Sequence, residues 1–204
     1  KAVNDAQDLT GANLKKVCAR KMHLEKARLS KANISQADFS GAHFFDCDLE
    51  GSDMVGAYLS DCDFTHCAMS KSDLTKASLL NARLWSSDLT DANLTECGLS
   101  GADMWSAKLY NVKLWRTLLT GAKSITRMSF SRGSKAFDNA MINETGALSA
   151  EESYRDIKQY FISNGMYNDA SWASFKEKTM ERLVLKKKGD WNYLPSLLMN
   201  ILCG

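Results

Sequence analysis

Proline is almost missing from this chain: one residue in 204, Pro195. Long apolar runs are missing too, since no stretch of eighteen apolar residues occurs, and the sequence therefore offers no membrane-spanning helix of its own. The start at Lys1 lacks the basic-then-apolar pattern of a secretory signal, so neither spanning nor export is expected of these residues. Charge of one sign is not in excess: 26 Lys and Arg face 24 Asp and Glu, a net charge of +2 that makes no case for nucleic acid as a partner. Twelve glycines with the single proline exclude low complexity, and the 25% charged fraction is that of an ordinary folded protein.

Chemistry-bearing motifs are absent as well. No glycine-rich phosphate loop, Cys-x-x-Cys pair, Ser/His/Asp set or paired catalytic carboxylates stands out, and the expectation is a protein that is not an enzyme and needs no cofactor. Histidine is scarce, with three residues. His23 and His43 stand twenty positions apart with Asp63 next in the series, a ladder that has metal-ligand chemistry. Arg83 continues the same series, which returns the ladder to ordinary polar surface, and no metal is expected.

What the sequence does have is a beat of five. In Ala77-Ser-Leu79-Leu-Asn-Ala82-Arg-Leu84 a small residue and a leucine two positions on recur every five residues, and this continues with few exceptions from Ala12 to Ala122. The period is neither the 3.6 of a helix nor the 2 of a strand, and implies a stack of small identical units. The small column runs Ala27, Ala32, Ala37, Ala42, Cys47, Ser52 and onward; the large column runs Leu29, Ile34, Phe39, Phe44, Leu49, Met54 and onward. Where the large column drops to Ala19, its neighbours in the small column are the bulky Val17 and Met22, so local volume is conserved. Cys47, Cys62, Cys67 and Cys97 fall in the small column, where a thiol acts as a slightly larger alanine; they are expected to be free.

Ala12-Asn-Leu14, Ala37-Asp-Phe39, Ala92-Asn-Leu94 and Ala102-Asp-Met104 closely resemble the consensus of the pentapeptide-repeat family, over somewhat more than half of the chain. The resemblance implies an all-β solenoid, a right-handed, quadrilateral parallel β-helix with four repeats per coil. Parallel coils stacked at about 4.8 Å would give each backbone group a partner above and below, and Ala12 to Ala122 would make about five and a half coils, roughly 27 Å long.

At Ser124 the large column fails, and residues 124–134 are expected to form a connector of shifted register. Phe137 and Ala140-Met-Ile142 resume the spacing, predicting a last partial coil to Gly146 and a domain boundary between 1–147 and 148–204. Ser149-Ala-Glu-Glu152 has the form of a capping box, followed by Tyr154, Ile157, Lys158 and Phe161 at helical spacing and a stop at Ser163-Asn-Gly165. A second helix is predicted from Asn168 or Asp169, with Trp172, Phe175, Thr179 and Leu183 as its apolar face, running into Lys186-Lys-Lys188-Gly189. The two make a C-terminal α-helical hairpin whose apolar faces need a partner; the open end of the coil stack and a homodimer through these helices are the expected ones. The last stretch, from Trp191, is apolar and led by aromatics, which suits membrane association after Gly189.

Two surface features remain. Phe45, Trp85 and Trp105 share one outward column, with Tyr110 and Trp115 on the neighbouring sides, and these five residues are the candidate interaction surface. Charge is also banded: seven acids and no base lie between Lys31 and Lys71, and seven bases and no acid between Asp103 and Asp138. The expected function is a non-enzymatic protein-interaction scaffold, cytoplasmic or at the cytoplasmic face of a membrane. The hairpin from Tyr154 resembles the region that, in some pentapeptide-repeat proteins, precedes ion-channel-like membrane segments, which implies the soluble part of a larger protein. Other members mimic DNA and bind topoisomerases such as gyrase through a strongly acidic rod, a pattern from which the basic later coils depart; secreted bacterial effectors are a further use of such repeats.

Overall fold

The structure, a computed structural model, describes residues 7–130 and 144–189. The chain divides into two compact units, Lys1–Ser134 and Lys135–Gly204.

In the first unit every fifth residue forms a one-residue parallel bridge to the residue twenty positions on: Asp8 to Arg28, Asn13 to Asn33, Cys18 to Asp38, His23 to His43, and so on to Asp103 with Lys123. Each twenty-residue coil thus carries four bridges, one per repeat. Around a bridge the hydrogen bonds run both ways. Asp48 N–H donates back to the carbonyl of Ala27 at 3.1 Å and Leu49 N–H donates forward to that of Ala68 at 2.7 Å. Between bridges the chain turns: Ser52 N–H returns to the Leu49 carbonyl at 3.1 Å, and the residue before it sits at positive φ, as at Gly51 (63°). The same left-handed position is held by Asn81 (56°), which tolerates it, and by Lys31 (57°) and Lys71 (59°), so the backbone plan is imposed also on residues that disfavour it.

The five-residue consensus is explained residue by residue. Small and large columns alternate inward and are buried from Leu24 to Leu114, with Leu79 and Leu84 at zero exposure. The Asp or Asn between them faces out and closes its own turn: Asp38 Oδ1 accepts from the backbone N–H of Ser40 at 3.1 Å and from its hydroxyl at 2.7 Å, and Asp63 does the same with Thr65 at 3.0 and 2.6 Å. Hydroxyls and thiols in the small column spend their donors on backbone carbonyls, Ser72 on Met69 at 2.7 Å and Cys62 on Phe39 at 3.0 Å. The four column cysteines are free; burial pushes the Cys62 and Cys97 thiols up to about 12 and the Cys67 thiol up as well.

The slip expected at Ser124 is present. Ser124 is exposed at φ 63° and Ile125 takes the buried place. Leu109 N–H then meets the carbonyl of Ser129, one residue later than the rule followed by Met104 with Lys123. A short helix α1, Arg127–Phe130, occupies this connector. The resumed coil predicted at Phe137 and Ala140–Ile142 lies outside the described residues, but its end at Gly146 does not hold. Helix α2 spans Glu144–Ser163, and Gly146 and Ser149 are inside it. Ser149 is therefore no cap, and its carbonyl accepts from the Ser153 hydroxyl at 2.7 Å.

Helix α3 follows at Tyr167–Lys187, one residue before the expected Asn168 and two before Asp169. Gly165, at φ 70°, makes the reversal between the helices, and Met166 N–H bonds to the Phe161 carbonyl at 2.8 Å. The helices pack on each other through Tyr154 and Trp172, whose rings meet edge to face at 5.9 Å. Glu177 of α3 lies between Arg155 (3.1 Å) and Lys158 (2.5 Å) of α2. On α2 the foreseen Tyr154, Ile157 and Phe161 are buried, with Lys158 half-buried, and Ala150, Ser153 and Tyr160, which were not foreseen, are buried as well. On α3 the buried residues are Ala170, Ala173, Met180 and Val184, whereas Phe175 and Leu183 of the predicted apolar face are exposed. The buried face of α3 thus lies one position over from the predicted stripe and carries small residues at 170 and 173 and larger ones at 180 and 184. Among the described residues no helix is long and apolar enough to cross a membrane. The stretch after Gly189, on which membrane association was expected, lies outside them.

Candidate interaction surface

The bridge rule fixes which side chains share a face. Starting from His23, one column of bridge residues reads His23, His43, Asp63, Arg83, Asp103, Lys123. Two positions on from these stand Phe45, Thr65, Trp85 and Trp105, so the three aromatics of the expected column share one side, Trp85 and Trp105 on successive coils and Phe45 two coils before Trp85 with Thr65 between. They are open to solvent, at 39%, 38% and 60% exposure. Trp85 and Trp105 meet edge to face with centroids 6.3 Å apart, and Phe45 meets the edge of His66 at 5.7 Å.

The charged column beside them meets the two tryptophans. The Arg83 guanidinium lies 4.8 Å from the Trp85 ring centre while its NH1 donates to Asp63 at 3.0 Å. Partial burial would raise the Asp103 carboxyl, but hydrogen bonds from the Trp85 indole, the Ser124 hydroxyl at 2.8 Å and the Trp105 backbone hold it below the usual range. Burial likewise pulls Asp63 up, and Thr65 and Arg83 overcome it. A shallow groove runs along the same face, lined by His43, Asp63, Arg83, Trp85, Asp103 and Lys123.

Tyr110 and Trp115 do not join this face. Each is half-buried on a neighbouring side, and the Arg116 guanidinium stacks on Trp115 at 4.6 Å. The histidine ladder resolves into ring stacking, His23 on His43 at 4.6 Å with parallel planes, and Asp63 turns to Arg83. Among the described residues no group of three His, Cys, Asp or Glu is placed to hold a metal. Sequence reasoning read Arg83 only as the continuation of the histidine series and passed over Arg83, Asp103 and His66 as partners of the aromatics, together with a second side on which Tyr58, Leu80 and Leu118 are exposed. Both are visible once every twentieth residue is read as a column, not the aromatics alone.

The family description "Pentapeptide repeats" matches the chain in eight copies, over residues 8–44, 42–79 and 77–116. No curated protein matches it. Among solved structures it is similar to HetL, a pentapeptide repeat protein involved in heterocyst differentiation regulation from the cyanobacterium Nostoc sp. strain PCC 7120, at 31% identity and a TM-score of 0.37, with 58% of each chain covered. It is also similar to Rfr23 from the cyanobacterium Cyanothece 51142, at 23% identity over 57% of this chain and 86% of that one, TM-score 0.33. A third is a pentapeptide repeat protein of the Arabidopsis thaliana thylakoid lumen, at 29% identity over 52% and 68%, TM-score 0.23. The chain spans 58% of the length of HetL. With the matched repeats running unbroken from residue 8 to residue 116, more than half of its length, the chain belongs to the pentapeptide-repeat family.

Proposed function

We propose that this protein is a non-catalytic interaction scaffold, a right-handed, four-sided parallel β-helix that presents the Phe45–Trp85–Trp105 face to a protein partner. The observation that carries the reading is the exposure of these three aromatics on one face of a backbone locked by a bridge at every fifth residue. Large aromatics leave water at a favourable rate per area, and a rigid platform loses little entropy when it binds. The groove of alternating Asp63, Arg83, Asp103 and Lys123 alongside supplies polar contacts that fix orientation.

A photo-crosslinking amino acid placed at position 105, with a second variant carrying it at Thr120 on another side, tests this in the native cells. A protein captured from position 105 and not from 120, and lost when Trp85→Ala is added, supports the reading. Equal capture from both positions, or none from 105, ends it.

A further inference from the structure

One side of the coil stack is unlike the other three. Its bridge positions from the third coil on read Tyr58, Ser78, Gly98 and Leu118, with no charge among them. At comparable heights the other sides carry Asp88 and Lys108, Asp73 and Lys113, and Arg83 and Asp103. Three large side chains stand out from the uncharged side, Tyr58 at 58%, Leu80 at 45% and Leu118 at 60% exposure, and between them the surface drops to Ser78, Gly98 and Ser100. Missing charge around exposed apolar side chains is the make-up of the centre of an interface.

The pattern on this side is its own complement when reversed. Coils repeat every twenty residues, so a two-fold axis running across the side midway between Ser78 and Gly98 sets each residue against one fixed residue of a second copy. Tyr58 then meets Leu118 at both ends, and Leu80 meets the small Ser100. The corner alongside reads Gly56, Lys76, Glu96, Arg116 at its positive-φ positions. Reversed against itself, it sets Lys76 on Glu96, Glu96 on Lys76 and each Arg116 over a glycine. On the opposite corner the one charge, Asp61, meets Gly121. Within one chain Lys76 and Glu96 already pair at 3.7 Å, so the facing pairs close a ring of alternating charge. Other arrangements fail: moving the axis by half a coil puts Lys76 on Lys76 or Glu96 on Glu96, and running the stacks parallel puts Tyr58 on Tyr58 and Gly98 on Gly98. We propose that this side is the interface of an antiparallel two-fold dimer of this chain. The matched stretch is only about 15 Å long. That is small beside the ~800 Å² per partner of a stable complex, so the association is weak and rises with concentration.

Analytical ultracentrifugation of the full chain at concentrations up to about 0.5 mM, where weak association registers, tests this. The wild type should show a dimer fraction that grows with concentration. Lys76→Glu would bring acids only to the meeting corners and Glu96→Lys bases only, and each variant alone should dimerise at least about ten-fold more weakly, the loss shrinking as salt is raised. Mixed in equal amounts, the two variants should pair again, because every acid then faces a base. That rescue also shows that both are folded. Trp105→Ala should leave the dimer unchanged, which separates this side from the aromatic face. A wild type that stays monomeric throughout overturns the proposal. So does a dimer that either single change leaves intact, which would place the contact elsewhere, and so does a mixture of the two variants that remains monomeric.

Discussion

In the coil unit a residue's environment follows from its number alone, whereas in the helical unit it depends on what the helix packs against. Position 79 is buried because it is the large place of a five-residue repeat with neighbours twenty residues away on both sides. Position 175 carries an aromatic at good helical spacing and is nevertheless 55% exposed, because the face of α3 that is buried is the one with Ala170, Ala173, Met180 and Val184. The repeat enforces its rule through the backbone, with two hydrogen bonds at each bridge. The hairpin is held by side chains, and several stripes of one helix compete for the interface.

The sharpest way to press this contrast is to remove a large side chain from each unit. Leu79→Ala leaves a cavity in a core with no room to collapse and should cost about 2–5 kcal/mol, read as a lower denaturation midpoint. Phe175→Ala should stay within about 0.5 kcal/mol. A loss at Phe175 as large as that at Leu79 would mean that its face is covered in solution.

The hairpin's weak point is instead polar. Glu177→Gln leaves Lys158 and Arg155 without their shared carboxylate and should cost about 1 kcal/mol, visible as faster amide exchange through α2 and α3 with the coil amides unchanged. Glycine should act with opposite sign in the two units. Lys31→Gly relieves a left-handed residue and should stabilise by about 0.5–1 kcal/mol, whereas Lys178→Gly in the middle of α3 should destabilise by about 1 kcal/mol. Paired thermal melts check the signs.

Acid should draw the finest distinction. Asp38 is held below the ordinary carboxylate range by the Ser40 hydroxyl and backbone N–H together with Arg20. Glu177, which burial would raise, is held down by Lys158 and Arg155. A carboxyl depressed in the folded state contributes its stability above its unfolded pKa, near 4, and loses it as pH falls through the lower folded value. These carboxyls should therefore make both units weaken below about 4, and in the hairpin Asp156, raised by burial and by Glu152, acts in the opposite direction. In the coil unit the loss is spread over many turn carboxyls, while in the hairpin it follows Glu177 and is absent in Glu177→Gln.

The same contrast explains what could be read from residues alone. The two columns, the slip at Ser124 and the aromatic face were legible because a period of five leaves one place for each residue. The ends of the two helices were nearly so, through Asn164-Gly165 and the lysines before Gly189. The start of α2 was not, since Ser149 and Glu152 have the spacing of a cap and nothing local says that the helix already began at Glu144. The buried face of α3 was missed because the stripe was drawn through the larger residues Trp172 and Phe175, whereas the face that is buried begins with Ala170 and Ala173, one position over. Arg83 and Asp103, which seat Trp85, belong to a column twenty residues in pitch and are invisible in any short window.

That pitch has a consequence for how such a protein can change length. Inserting five residues between Thr65 and Trp85 would keep every inward position inward and the stack intact, yet it would carry Trp85 and Trp105 a quarter of the way round, out of line with Phe45. Inserting twenty would return them to the same side, one storey higher. The location of the aromatic face is thus stored as a count modulo twenty, and duplication of a whole coil is the one edit that lengthens this scaffold without scrambling what it displays.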